Sequence, residues 1–170
     1  AGATTRSMVE SHSWNSAWHA SRAVGAAELG LTDVCRKRFE EMAKDDFAPV
    51  TRDVNYLVSM SFLARACAFL GDRRRAEVLY RDLLPYRDRI AVNPTVLPCE
   101  GPVARSLGLL ATTLQRWDEA AADFEVAIST CDRLGLRPFG ALARQECAAM
   151  LLRRGARGDA ERAAELAGAA

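Results

Sequence analysis

The sequence predicts an all-α, right-handed solenoid of antiparallel helix pairs, and three observations support this prediction. Alanine contributes 31 of the 170 residues, and leucine, arginine and glutamate are also frequent, a composition that favours helices over strands. A turn residue, a small residue and an aromatic residue recur at fixed offsets, and such self-similarity is typical of repeat proteins. Each recurrence follows an apolar segment of helical length and precedes an amphipathic one.

The recurring triplet has a turn residue, a small residue five positions later and an aromatic residue four positions after that. The small residues are 41, 44 and 43 positions apart. We therefore predict helix-turn-helix repeats of about 41–44 residues over 13–45, 53–88, 102–134 and 138–170. The triplets are Gly30, Cys35 and Phe39; Gly71, Ala76 and Tyr80; Gln115, Ala120 and Phe124; and Gly158 and Ala163, with Ala167 in place of the aromatic.

Each part of the triplet has a physical role in a helical pair. The turn residue takes the left-handed conformation that ends the first helix, and Thr32, Asp72 and Asp159 stand where the second helix needs an N-cap. The small residue lets the two helices approach closely, and the aromatic fills the space to the next pair. The predicted first helices cover 14–29, 54–70, 103–114 and 141–152.

The segment 89–102 interrupts this pattern. It contains three prolines, which cannot lie inside a continuous helix. We predict a long connector here, and two interpretations are open. Either the segment has a function, as long ordered loops often do, or it is a passive spacer that accounts for the 44-residue step.

Charge and cysteine content indicate a cytoplasmic protein that binds neither nucleic acid nor membrane. The net charge is +1, and the acidic residues are interleaved with 21 arginines, so no surface of one sign is predicted. Five cysteines, an odd number, suit reduced thiols in the cytosol. No apolar run reaches transmembrane length and no signal peptide is evident. From the first residue, Ala1, and the helical last residues, we expect one domain over 1–170 that is a fragment of a longer polypeptide.

No sequence motif for catalysis or cofactor binding is present. The sequence lacks GxxxxGK[ST], GxGxxG, GxSxG and HExxH, so we predict no catalytic residues, no cofactor and no enzymatic activity. His12 and His19 are seven positions apart and could share a helix face, but two ligands make a poor metal site. Trp14 and Trp18 are either a stacking platform or a cover for the end of the solenoid.

The predicted binding residues lie on the first helices, on the face that lines the concave groove of a solenoid. They are Arg65, Arg105, Ser61, Thr112 and Gln145. An arginine here could hold a carboxylate or phosphate with bidentate hydrogen bonds. The alternative is an internal ion pair of either arginine with Asp53 or Glu100.

The third unit closely resembles the tetratricopeptide repeat at Leu107, Gly108, Ala111, 117–120, Phe124 and Ala127. A wider resemblance covers most of the chain, at 53–57, 70–72, 80–86, 105–111, 115–120, 150–155 and 158–159. These segments resemble the helical-repeat region of large actinobacterial signalling-ATPase regulators. That group includes MalT-like or LuxR-type activators and ATPases linked to nucleotide cyclases.

The resemblance implies a non-catalytic interaction or sensor segment of a multidomain bacterial transcriptional or signalling regulator. In this interpretation the concave groove binds a protein partner or other domains of the same polypeptide, and its occupancy biases a distant output domain. The alternative is a domain that senses a small effector, as in MalT-like activators. ATP binding, if the whole protein binds ATP, is expected outside this segment.

Overall fold

The computed structural model describes residues 16–92 and 99–169, and most of them are helical. The predicted all-α class is confirmed at this level. The helices of the described residues are α1 Ser16–Glu28, α2 Thr32–Met42, α3 Tyr56–Leu70, α4 Arg73–Leu83, α5 Val103–Leu114, α6 Trp117–Leu134, α7 Arg137–Arg154 and α8 Asp159–Gly168, with a 3-10 turn at Leu84–Tyr86.

Consecutive helices pack in pairs, α1 with α2, α3 with α4, α5 with α6 and α7 with α8. The first helices α1, α3 and α5 also pack side by side, whereas α7 packs mainly on α6 and α8. One continuous hydrophobic core runs from α1 to α8. The small residues of the predicted triplets are all buried in it, as are the three aromatics: Cys35, Ala76, Ala120 and Ala163, with Phe39, Tyr80 and Phe124.

The predicted turn residues all adopt the left-handed conformation. Gly30, Gly71 and Gly158 have φ values of +69°, +66° and +85°, and Gln115 has a φ of +62° although it carries a side chain. The backbone N–H of Gly71 donates to the carbonyl groups of the last turn of α3, and that of Gln115 does the same for α5. Gly30, Gly71 and Gln115 therefore end their first helices as predicted. The prediction was wrong for Gly158, because α7 already ends at Gly155 and Gly158 is the N-cap of α8.

One of the three predicted N-caps is confirmed. Asp72 is the N-cap of α4, and its carboxylate accepts a hydrogen bond from the backbone N–H of Arg75. Thr32 was predicted wrongly, because Leu31 takes the N-cap position of α2 and no side chain caps that helix. Asp159 is the first residue of α8, and its carboxylate turns back to accept from the backbone N–H of Ala156.

The predicted connector contains a small antiparallel sheet. Strands β1 Ile90–Val92 and β2 Cys99–Pro102 pair with Ile90 opposite Pro102. Gly101 has a φ of +78°, and a Cβ there would lie 2.8 Å from Cδ1 of Phe139 on α7. The sheet contacts α3, α5, α6 and α7. Strand β2 therefore brings Glu100 against the helices.

A candidate groove on the first helices

A groove of about 320 Å³ crosses the last turns of the four first helices, α1, α3, α5 and α7. Each of these helices ends at a left-handed turn that returns the chain as a second helix. The carboxyl ends of the first helices therefore lie at the same edge of the molecule. The apolar residues of the groove are Val24 and Ala27 of α1, Ala68 and Phe69 of α3, and Leu109 of α5.

Arg65 is the centre of an ion network at this groove. Its Nη1 atom lies 3.0 Å from Oε2 of Glu100, and its Nη2 atom donates to Glu28 of α1. Burial alone would lower the pKa of Arg65, but the Glu100 and Glu28 carboxylates together raise it. The internal ion pair with Glu100, one of the two alternatives derived from the sequence, is therefore present.

Arg105 is held even more tightly by a different acid. Its Nε atom donates to Oε2 of Glu146 on α7 over 2.7 Å, and its Nη2 atom donates to Oε1 over 2.6 Å. The arginine is only 4% exposed. The sequence proposed Asp53 or Glu100 as its internal partner, and both were wrong, because α7 brings Glu146 to α5.

Of the other three predicted binding residues, one lines the groove, one is buried and one is exposed elsewhere. Thr112 lines the groove and donates a hydrogen bond to the carbonyl oxygen of Gly108 over 2.7 Å. Ser61 is 1% exposed, and its hydroxyl makes no hydrogen bond with any described residue. Gln145 is exposed. The lining thus includes Arg65 and Thr112 but not Ser61, Arg105 or Gln145, because the groove lies at the carboxyl ends of the helices and not along their whole length.

Sequence reasoning missed most residues of the groove, and three of them present the surface that a ligand would meet. Phe69 is 43% exposed and Leu109 is half-buried, so both present apolar surface to solvent. Arg153 is exposed, lines the groove and makes no ion pair with any described residue. Its neighbour Arg154 instead donates two hydrogen bonds to Asp159. Each of these residues lies in the second half of a first helix, and this position is the sequence feature that could have identified it.

A buried polar cluster lies away from the groove. The hydroxyl of Tyr80 donates to Oδ2 of Asp123 over 3.1 Å, and Asp123 is 1% exposed. Nε of Arg87 lies 2.7 Å from Oδ1 of Asp123 but makes no aligned hydrogen bond. Burial raises the pKa of Asp123 and outweighs the lowering effect of Arg87. The cluster ties α4 to α6 inside the core.

Residues 16–92 and 99–169 contain neither a metal-binding cluster nor a membrane-spanning helix. No group of three or more His, Cys, Asp or Glu side chains is arranged there to hold a metal ion. No helix in these ranges combines the length and the apolar composition needed to cross a membrane. His12 and Trp14 lie outside the described residues, and Trp18 is exposed on α1. The cysteines are free thiols, and burial raises the pKa of Cys35, Cys67, Cys131 and Cys147.

No protein-family model, no curated protein and no solved structure matches this chain. The class that the geometry defines is therefore limited to a helical protein with a groove across parallel helix ends.

Proposed function

We propose that the helix pairs form a right-handed, tetratricopeptide-like solenoid whose groove binds a segment of a partner protein or of another domain of the same polypeptide. The observation that carries this proposal is the alignment of four first-helix ends along one groove. Proteins of this architecture use extended surfaces of stacked helices for binding. The segment would serve a multidomain bacterial transcriptional or signalling regulator in the cytoplasm, without catalysis and without contact to nucleic acid or membrane.

The chemistry of the groove supports a protein segment as its occupant. Phe69 and Leu109 offer exposed apolar surface, and aromatic side chains are favoured at the centre of protein interfaces. Arg65 and Glu146 are already neutralised by internal partners. They therefore act as a polar rim, while Arg153, which pairs with no described residue, supplies a cation for an acidic side chain of the partner.

Two steps lead from groove occupancy to regulation in this proposal. A bound segment contacts α1, α3, α5 and α7 together, and it therefore favours one arrangement of these helices over others. The helix arrangement then biases a domain elsewhere in the polypeptide. A second candidate function, sensing of a small effector, is favoured by a separate cavity between α6 and α8.

Site-specific photo-crosslinking tests the groove. A photoreactive phenylalanine analogue at position 69 is expected to give discrete adducts in extracts that contain the partner or the rest of the polypeptide. Excess unlabelled protein should suppress these adducts, and the additional substitution Leu109→Asp should remove them. The same analogue at Ala122, which is exposed on α6, is the control. Identical adducts at positions 69 and 122, or none at position 69, would contradict the proposal.

A further inference from the structure

The side chain of Arg75 bridges the second helices of the first two pairs, α2 and α4. The guanidinium carbon of Arg75 on α4 lies 5.9 Å from the ring centroid of Phe39 on α2. Its Nη1 and Nη2 atoms donate to the carboxylate of Glu40 over 2.9 Å and 2.6 Å. An aromatic and an acid of one pair are thus joined to an arginine of the next pair.

The next junction, between α4 and the start of α6, also joins an arginine to an aromatic ring and an acid. The guanidinium carbon of Arg116 lies 5.8 Å from the ring centroid of Tyr80, and its Nη2 atom donates to Glu77. Arg116 precedes α6 directly, whereas Arg75 lies within α4. The two arginines therefore occupy different positions in their pairs, but each bridges the second helices of neighbouring pairs.

The third junction, between α6 and α8, has equivalent residues that are not joined. Glu125 follows Phe124 as Glu40 follows Phe39, and Arg162 precedes Ala163 as Arg75 precedes Ala76. Nη1 of Arg162 instead donates to Glu165 of its own helix over 2.8 Å. Glu125 makes no hydrogen bond or ion pair with a described residue. A cavity of about 430 Å³ lies here, and both Glu125 and Arg162 line it.

The cavity combines an apolar floor with opposite charges at its edge. Ile128, Leu151 and Leu166 form the apolar part, together with the buried Cys147. Burial raises the pKa of the Cys147 thiol, Arg162 lowers it and Glu125 raises it, so both charges act on the same floor residue. Asp132 also lines the cavity, but Arg144 already binds it over 2.7 Å.

We propose that this cavity binds a free α-amino acid with an apolar side chain. The ammonium group would pair with Glu125, the carboxylate with Arg162, and the side chain would lie on the apolar floor. The size suits a small molecule, and each end of a zwitterion finds a partner of opposite charge. Arg162 must leave Glu165, but an exposed pair separated by three residues contributes little stability.

Binding would complete the third junction. The amino acid takes the place that the direct bond between Glu40 and Arg75 has at the first junction, and it fixes α8 against α6. Occupancy of this cavity then restricts the last helix pair in response to a metabolite. The proposal does not depend on the groove of the first helices, because the two sites share no lining residue.

Isothermal titration calorimetry with L-leucine, L-isoleucine, L-valine, L-methionine and L-phenylalanine tests the proposal. We expect saturable binding of at least one of them. The matching N-acetyl amino acid and the matching amino acid amide, which each lack one charge, should bind at least tenfold more weakly. Glu125→Gln and Arg162→Gln should each weaken binding about tenfold. Arg38→Gln, which breaks a similar exposed pair with Glu41 on α2, should leave binding unchanged.

Three results would overturn the assignment. The first is the absence of saturable binding for all five amino acids by a protein whose helical circular dichroism spectrum is intact. The second is equal binding of the analogues that lack a charge. The third is a double-mutant cycle in the ligand-free protein that couples Glu125 directly to Arg162 as strongly as Glu40 is coupled to Arg75. Each leaves the crosslinking test at Phe69 unaffected.

Discussion

Arg105 of α5 and Glu146 of α7 form a two-point ion pair, with donor–acceptor distances of 2.7 Å and 2.6 Å. The helices α5 and α7 otherwise touch only slightly. The guanidinium is almost fully buried, so this pair links α7 directly to α5, in addition to the packing of α7 on α6. It also holds Glu146 at the edge of the groove.

Removing the buried arginine should destabilise the fold more than removing the exposed one. Arg105→Met leaves the carboxylate of Glu146 partly buried without a partner, and we expect a loss of about 3 kcal/mol in the free energy of unfolding. Arg162→Met should cost much less, because Arg162 and its partner Glu165 are both largely exposed to water. Urea denaturation of the two variants measures the difference. Equal losses would show that Arg105 is not the tie between α5 and α7.

The close contact between α5 and α6 depends on a small side chain at Ala120. This residue is fully buried, so Ala120→Arg must either push the helices apart or bury an unpaired charge. We expect a loss on the order of 3 kcal/mol or more, or failure to fold. Ala122→Arg, which changes an exposed residue two positions further on, should cost far less. The melting temperatures of the two variants decide this, and identical values would mean that the helix register is wrong.

The local features of this fold could be predicted because they depend on backbone conformation and side-chain size. Gly71 and Gln115 end their helices, and Cys35 and Ala163 are buried, as their sequence positions predicted. The turn at Gln115 shows how strong this positional signal is. A residue with a side chain was predicted to end a helix there, and it does so in the left-handed conformation.

The partners of the charged residues could not be predicted in the same way. Arg105 and Glu146 are 41 positions apart, and their pairing depends on how α7 lies against α5. Glu100 was one of the two internal partners proposed for Arg65, but the sheet of β1 and β2 that places it there was not predicted, since the prolines of this segment indicated only a connector. Phe69 and Arg153 were missed because helical periodicity identifies a face of a helix but not which end of that face stays open.

Gly108 allows the ring of Phe124 to lie against the backbone of α5. A Cβ at this position would lie 2.9 Å from Cδ1 of Phe124, which is fully buried and cannot move aside. We expect Gly108→Ala to destabilise the protein by about 1–3 kcal/mol despite the better helix propensity of alanine. Gly25→Ala is the matched control, because a Cβ there meets nothing within 4 Å. It should stabilise α1 by up to about 1 kcal/mol. A stabilising Gly108→Ala, measured by thermal unfolding, would contradict this packing.

The pH dependence of stability should reflect carboxylates with opposite pKa shifts. Burial raises the pKa of Asp72, but the side chain and backbone N–H of Arg75 together bring it below its usual value. The Arg154 guanidinium lowers the pKa of Asp159, with the backbone N–H of Ala156. A lowered folded-state pKa gives stability that is present above the unfolded-state value of about 3.9 and lost as the pH falls through the folded-state pKa.

Asp123 should act in the opposite direction. Burial raises its pKa, so its contribution favours the folded state below the unfolded-state pKa and is lost as the pH rises through the raised value. The free energy of unfolding, measured by urea denaturation from pH 7 to pH 2.5, tests both signs. Asp72→Asn and Asp159→Asn should lower stability at pH 7 and flatten its decrease below about pH 4. Asp123→Asn keeps an acceptor for Tyr80 and should remove the gain in stability that the wild-type carboxyl contributes as the pH falls through its raised pKa towards about 4. The same change of slope in all three variants would show that the buried carboxylate is not the one with the raised pKa.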